Sequence, residues 1–219
     1  MKIYVVGSSR DKFLPLDNIR EKFLIDQKHE GDNIDFLNPW YCELTGLYYL
    51  WKNCNEDIVG LEHYRRFFLN NDLKLLDETR IMDILKTCDV ICAKEHYPNG
   101  NGKFIYTWPQ HHGLYLYFET FLEVIEKMYG TDMKKHFSDF LYGNWHIQGN
   151  LIITKRKILE NYLNWFLMTC IEYNKVIPLD INKKRINAYL SEFLLGAWLT
   201  WNKYNLYFNK YQNVNSIID

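Results

Sequence analysis

The chain has 219 residues, 47% hydrophobic and 24% charged, a composition that fits one ordinary globular domain over residues 1–219 and excludes disorder or a fibrous repeat. Its 26 Lys and Arg balance 27 Asp and Glu to a formal net charge of −1, so no global field draws it onto nucleic acid or anionic lipid. The 5 cysteines show no paired CxxC spacing, which argues against a zinc ribbon or disulfide framework and for a reducing, cytoplasmic setting.

The first predicted element is the strand KIYVV, Lys2 to Val6, closed by a tight loop at Gly7-Ser8-Ser9. Its apolar run is too short for a secretory signal, and nowhere does the chain approach the ~18 apolar residues of a membrane span. A polar stretch leads to GDNIDF, with Asp32 and Asn33, and then to a helix over residues 38–53. Asn38 is placed to cap this helix and Pro39 to occupy its first position, while Leu44, Leu47, Tyr48 and Trp51 form one apolar stripe. DIVGL, Asp57 to Leu61, is the next strand and delivers EHYRRFF at its C-terminal end. Ile81, Ile84, Leu85 and Cys88 mark a helix, and DVICA, Asp89 to Ala93, reads as a buried parallel strand.

This alternation predicts an α/β fold: a mostly parallel, Rossmann-type sheet flanked by helices, with ligand groups at the carboxyl ends of strands. Residues 95–113 form a long Gly/Asn/Pro/aromatic loop with three His, of a length that is usually functional or mobile. Helices follow at 114–128 and 133–142, a strand within HIQGNLIITK, an amphipathic helix at 158–171, a polar linker at 174–184, a helix at 185–201 and a terminal strand in NLYF.

Four constellations carry possible chemistry. In EHYRR, Arg65 and Arg66 keep their charge at any relevant pH, and each guanidinium can hold two phosphate oxygens, with His63 and Tyr64 beside them. The plainer reading pairs one arginine with Glu62 or Asp89. In NPWYCELT, Glu43 is a charge in an apolar helix start, either a partner for an arginine or an acceptor for a ligand hydroxyl. In NWHIQGN, His146, Gly149 and Asn150 offer neutral polar groups and close backbone approach for sugar hydroxyls, or a polar bulge without a ligand. In YLSEFLLGAWL, Glu192 sits in a helix apolar nearly all round, so it is either salt-bridged to Arg185 or Arg66, or has the raised pKa of a general base. P-loop, GxGxxG, HExxH and GxSxG motifs are absent, as is the Asp-x-Asp that holds a divalent metal in many sugar transferases.

The ordered blocks GDNIDFLNPWYCELTGLYYLWKN, DIVGLEHYRRFF, NWHIQGNLIITKRKILENYLNWF and RINAYLSEFLLGAWL resemble the bacterial domain-of-unknown-function 4422 family. That family is associated with capsule, exopolysaccharide and O-antigen synthesis and includes galactofuranosyl and other glycosyltransferases. The resemblance implies a GT-A-like fold and transfer of a sugar, galactose or galactofuranose among the candidates, from a UDP-sugar or similar donor to a glycan. The acceptor could be lipid-linked, which would put the enzyme at the inner face of the cytoplasmic membrane. Mn or Mg is left open, with no motif to hold it and no metal ligands assigned. Shared positions are Asp32, Asn33, Asn38, Tyr41, Glu43, Thr45, His63 to Arg66, His146, Gly149, Asn150, Arg185, Tyr189 and Glu192. Phe193 stands where the family tends to carry a basic residue.

The implied arrangement lays the donor over Gly7 and Ser8 with Asp32 and Asn33 nearby. Arg65 and Arg66 neutralise the leaving diphosphate, Glu192 is the base, and His146 and Asn150 bind sugar. The alternative is a glycan- or nucleotide-binding protein of the same fold without turnover.

Overall fold

The computed structural model describes residues 1–96, 109, 112–180, 182 and 184–213. Its strands are β1 (Lys2–Gly7), β2 (Arg20–Leu24), β3 (Ile58–His63), β4 (Arg66–Phe68), β5 (Val90–His96), β6 (Trp145–Lys155), β7 (Leu206–Phe208) and β8 (Tyr211–Asn213). Its helices are α1 (Asn38–Tyr41), α2 (Leu44–Asn53), α3 (Glu78–Leu85), α4 (Tyr115–Tyr129), α5 (Thr131–Leu141), α6 (Arg156–Val176) and α7 (Ile186–Trp201). The main sheet runs β2-β1-β3-β6-β5-β7, with β4 and β8 extending it from β3.

Strands β1, β2, β3, β5 and β7 point the same way, while β6 runs against both β3 and β5. The sheet is therefore mostly parallel and flanked by helices. The reversed central strand departs from the expected parallel neighbours for DVICA. Burial on both faces makes strands of either direction read as continuous apolar runs, so LIIT carries no directional signal.

Side chains alternate across the sheet. Tyr4, Val6, Leu61, Cys92 and Ile152 face the large core formed with α2 and α4 to α7, which includes Leu47, Leu50, Phe121, Phe166, Leu190 and Leu194. Ile3, Ile91, Ala93 and Ile153 face the smaller layer against Ile81, Ile84 and Leu85 of α3. Asp77 caps α3 by accepting the Arg80 N–H. Among the described residues, no helix is long and apolar enough to cross a membrane.

Strand β2 escaped the sequence reading because it is an edge. Arg20 and Phe23 turn inward while Glu21 and Lys22 face water, so a short charged strand resembles a loop. The single helix expected over 38–53 is broken at Cys42, where φ 45° and ψ −122° reverse the chain between α1 and α2. Asn38 makes no capping hydrogen bond and is itself helical, with its Oδ1 buried and unpartnered. Of the long loop over 95–113, all but residues 95, 96, 109, 112 and 113 lie outside the described residues.

Candidate active site

A cavity of about 380 Å³ opens at the C-terminal ends of β1 and β3. Its strand side is made by Gly7, at the end of β1, and by the turn from His63 to Arg66 that joins β3 to β4. The Tyr64 N–H donates to the Val6 carbonyl at 2.9 Å, so the turn closes directly over β1. Gly7 is required there, because a Cβ would lie 2.7 Å from Phe13 Cζ and 3.0 Å from Tyr64 Cβ. The helix side brings Asn38, Cys42 and Glu43 from the α1–α2 break, Lys184 and Arg185 from the entry to α7, and Glu192 from within α7.

The carboxylates nearest to Arg65 and Arg66 in sequence or in the plainer reading are engaged elsewhere. Glu62, the nearest carboxylate to the arginines in sequence, is buried and held by Arg20 through Nε at 2.6 Å and Nη2 at 3.1 Å. It also accepts the Phe68 N–H at 2.9 Å, while Asp89 accepts the Asn205 N–H at 2.9 Å. The plainer reading of the arginines is thereby removed: among the described residues, neither Arg65 nor Arg66 forms an ion pair, and Arg65 Nε is buried without a partner. Arg65 lies over the Tyr64 ring, 5.6 Å from its centroid.

Arg185 adds a third cation beside Lys184. It adopts a left-handed conformation at φ 67°, donates its N–H to the Pro39 carbonyl at 2.9 Å, and lies over the Tyr189 ring at 5.4 Å. Two cations at the start of a helix oppose its macrodipole, which favours anions there. Lys184-Arg185 ahead of an apolar helix is thus an unfavourable pairing that the sequence shows, and Lys184 was missed.

The two buried carboxylates behave oppositely. Glu192 Oε1 accepts the Gly149 N–H at 2.8 Å and lies 3.7 Å from His146 Nε2. Burial disfavours the charge on Glu192, but the His146 imidazole and the Gly149 N–H together hold its pKa below the ordinary carboxylate range. The expected raised pKa is corrected, and the expected salt bridge to Arg185 or Arg66 does not form. Phe193 stacks on His146 with centroids 4.7 Å apart, backing this pair with an apolar face.

Glu43 is the carboxylate with the raised pKa. It is 5% exposed, and burial first and the charge of Glu192 second push it up to about 7. Asn150 Nδ2 donates to its Oε1 at 3.0 Å, Ser191 Oγ donates to Asn150 Oδ1 at 2.9 Å, and Tyr162 OH lies 2.7 Å from Ser191 Oγ. This chain fixes the carboxylate from behind. His63 is the converse: burial and the adjacent Arg66 depress it to about 4, so it stays a neutral imidazole at physiological pH.

Gly149 and Asn150, with φ of 57° and 55°, form a bulge in β6. It aims the Gly149 N–H at Glu192 and the Asn150 amide at Glu43. A Cβ on Gly149 would lie 3.1 Å from Leu151 Cδ1 and 3.2 Å from Arg66 Nη1. Gly149→Ala is expected to cost ~1–2 kcal/mol in urea unfolding, from the left-handed backbone alone. A variant as stable as the parent would remove the constraint assigned to this position.

Several expected site residues stand elsewhere. His146 and Asn150 are buried at 1% and 0% exposure and support the two glutamates instead of reaching a sugar. Tyr41 and Thr45 are core residues, the latter bonded to the Cys42 carbonyl at 2.8 Å. Ser8 is bound to Asp11 Oδ2, and it is Asp11 that lines the cavity. Asp32 is tied to α2 through Asn53 and Tyr48, and Asn33 to the carbonyls of His29 and Gly31, so neither lines the cavity. Tyr189 is a platform under Arg185.

Fold and cavity together define a mixed α/β protein with a cation-lined site at the carboxyl ends of parallel strands. The chain belongs to the family described as Domain of unknown function (DUF4422), whose profile matches residues 5–203. A solved structure, the apo form of the bifunctional glycosyltransferase WbbM, is similar with a TM-score of 0.80 and 20% sequence identity, over 96% of this chain and 44% of that one. The present chain thus spans less than half of that protein's length. No curated protein matches it.

Proposed function

We propose that this protein is a glycosyltransferase that moves a hexosyl group, galactose or galactofuranose among the candidates, from a UDP-sugar to a glycan. Its acceptor class would be capsule, exopolysaccharide or O-antigen chains. The observation that carries this reading is the pair of arginines, without carboxylate partners, in a cavity at the strand ends of a fold shared with a bifunctional glycosyltransferase. The cavity volume lies in the range of small-molecule sites, roughly 300–1,000 Å³.

In the proposed reaction the bond between the anomeric carbon and the diphosphate oxygen breaks and a bond from the acceptor oxygen forms. Arg65 and Arg66 take up the charge on the departing diphosphate, and stabilising such developing charge is usually the largest catalytic contribution. Glu192, kept ionised by Gly149 and His146, faces the positive charge that develops at the anomeric carbon. Glu43, which titrates near neutrality, receives the acceptor's proton. A lipid-linked acceptor would bring the chain to the inner face of the cytoplasmic membrane.

Thermal melts with UDP, GDP, CDP and dTDP, each with and without Mn²⁺, test the nucleotide site. At ~100-fold saturation one of them should raise the melting temperature by about 5–10 °C. The matching nucleotide sugar should then release its diphosphate. No shift with any of the four, and no release from their sugars, would reject the reading.

A further inference from the structure

Cys42 holds a backbone conformation that ordinarily takes glycine. Its φ of 45° and ψ of −122° are those of the first central position of a type II′ turn. Three hydrogen bonds fix it there: its N–H donates to the Asn38 carbonyl at 3.0 Å, and its carbonyl accepts the Thr45 N–H at 3.0 Å and the Thr45 hydroxyl at 2.8 Å. A glycine would make all three without the strain that a Cβ brings. Strain of this kind persists where the surrounding structure imposes it, and it clusters at ligand sites. Here the strained residue lines the cationic cavity, and its thiol meets the guanidinium of Arg185, which lines the same wall.

Arg185 is also a non-glycine residue at positive φ, 67°. Its N–H donates to the Pro39 carbonyl at 2.9 Å, which ties the entry of α7 to α1 three residues before Cys42. Its guanidinium lies over the Tyr189 ring, 5.4 Å from the centroid, and forms no ion pair among the described residues. Ring and thiol are neutral supports: burial pushes the Cys42 thiol up to about 11, so it stays protonated at physiological pH. Glu43 adds an attraction that fades as this carboxyl takes up its proton near pH 7. A carboxylate at position 42 would hold the guanidinium and cancel its charge. A thiol holds it and leaves the charge for an anion in the cavity.

We propose that Arg185 is a phosphate ligand of this cavity and that Cys42 is the residue that positions it. Arg65 and Arg66 face the anion from the strand wall and Arg185 from the helix wall, so a diphosphate is held from both sides. That the anion belongs to a nucleotide sugar rests on the transferase reading above; the pairing of Cys42 with Arg185 rests on its own geometry.

Isothermal titration calorimetry with inorganic pyrophosphate and with UDP, beside thermal melts, tests this on the full chain. Cys42→Ala keeps the strained backbone and removes only the sulfur, while Cys42→Gly removes both. Each should weaken pyrophosphate and UDP about tenfold. The Gly variant should nevertheless melt about 3–6 °C above the Ala variant, the reverse of the usual order of these two residues. Lost affinity in the more stable variant is a result that a merely structural role does not give. Cys42→Ser, whose hydroxyl accepts from the guanidinium as the thiol does, should bind within about threefold of the parent. Arg185→Ala should itself lose about tenfold, and adding Cys42→Ala to it should change affinity by less than about twofold, because the two residues act as a unit. Parental affinity in Cys42→Ala, an Ala variant that melts no lower than the Gly variant, or full additivity in the double variant overturns the assignment. So does a parent that binds neither probe. A parent that binds pyrophosphate but no nucleotide and no nucleotide sugar would uphold the Cys42–Arg185 pair and remove the transferase reading.

Discussion

Arg66→Ala should lower sugar transfer by at least ~100-fold while leaving the protein folded. Removing an arginine usually risks orphaning its carboxylate, but Glu62 is fully engaged by Arg20 and Phe68, and Arg66 forms no ion pair among the described residues. The variant therefore loses a charge aimed at the cavity and strands none behind it. The loss should appear in kcat/KM for the nucleotide sugar and in a weaker inhibition constant for the released diphosphate. Arg66→Lys should recover only part of the rate, because an ammonium cannot form the paired hydrogen bonds of a guanidinium. One further effect is specific to this position. Arg66 is among the causes that depress His63, so the Ala variant should raise the His63 pKa, readable by NMR titration. Near-parental turnover in Arg66→Ala would remove the arginine from the chemistry.

How far the sequence disclosed this site depends on which physical signal each residue carried. Arg65 and Arg66 were legible because two fixed charges at the exit of an apolar strand are costly unless something anionic meets them, and Gly7 because a strand that stops on Gly marks a close approach. The helices were legible through their apolar stripes, although α6 extends to Val176, beyond the last apolar position that the stripe marked. What failed were properties set by partners distant in sequence. The two glutamates look alike as lone charges in apolar surroundings, yet Glu192 meets a backbone N–H from β6 and His146, while on Glu43 burial and the field of Glu192 outweigh the Asn150 amide and Arg185. Which of them titrates near neutrality depends on contacts across 43 and 107 residues of sequence. The reversal at Cys42 was equally hidden, since nothing in NPWYCELT breaks helical patterning. It is that reversal that separates α1 from α2 and leaves Glu43 between them at the cavity.

Glu43→Gln should reduce transfer by ~100-fold and also change how the protein responds to pH. The amide keeps an oxygen for Asn150 Nδ2 but cannot accept a proton, so the acidic limb of the kcat profile, centred near the Glu43 pKa of about 7, should disappear. Glu192→Gln should lower the rate and move that limb to lower pH without abolishing it, because the Glu192 charge is the second cause that raises Glu43. Stability supplies a readout independent of turnover. A carboxyl raised from its ordinary 4.5 to about 7 on folding contributes stability that is complete below pH ~4.5 and lost as pH rises through about 7, an amount of about 3 kcal/mol. His63, depressed from 6.5 to about 4, contributes in the opposite sense: its stability is complete above pH ~6.5 and lost as pH falls through about 4. In the parent these two slopes oppose each other between pH ~4.5 and ~6.5, and that window should be nearly flat in urea unfolding. Glu43→Gln removes the first slope and leaves the second, so its stability should climb with pH across the same window and overtake the parent by pH ~8. A Gln variant that keeps both the parent's acidic limb and its flat stability window would show that Glu43 is not the group that titrates, and with it the assignment of the acceptor's proton would fall.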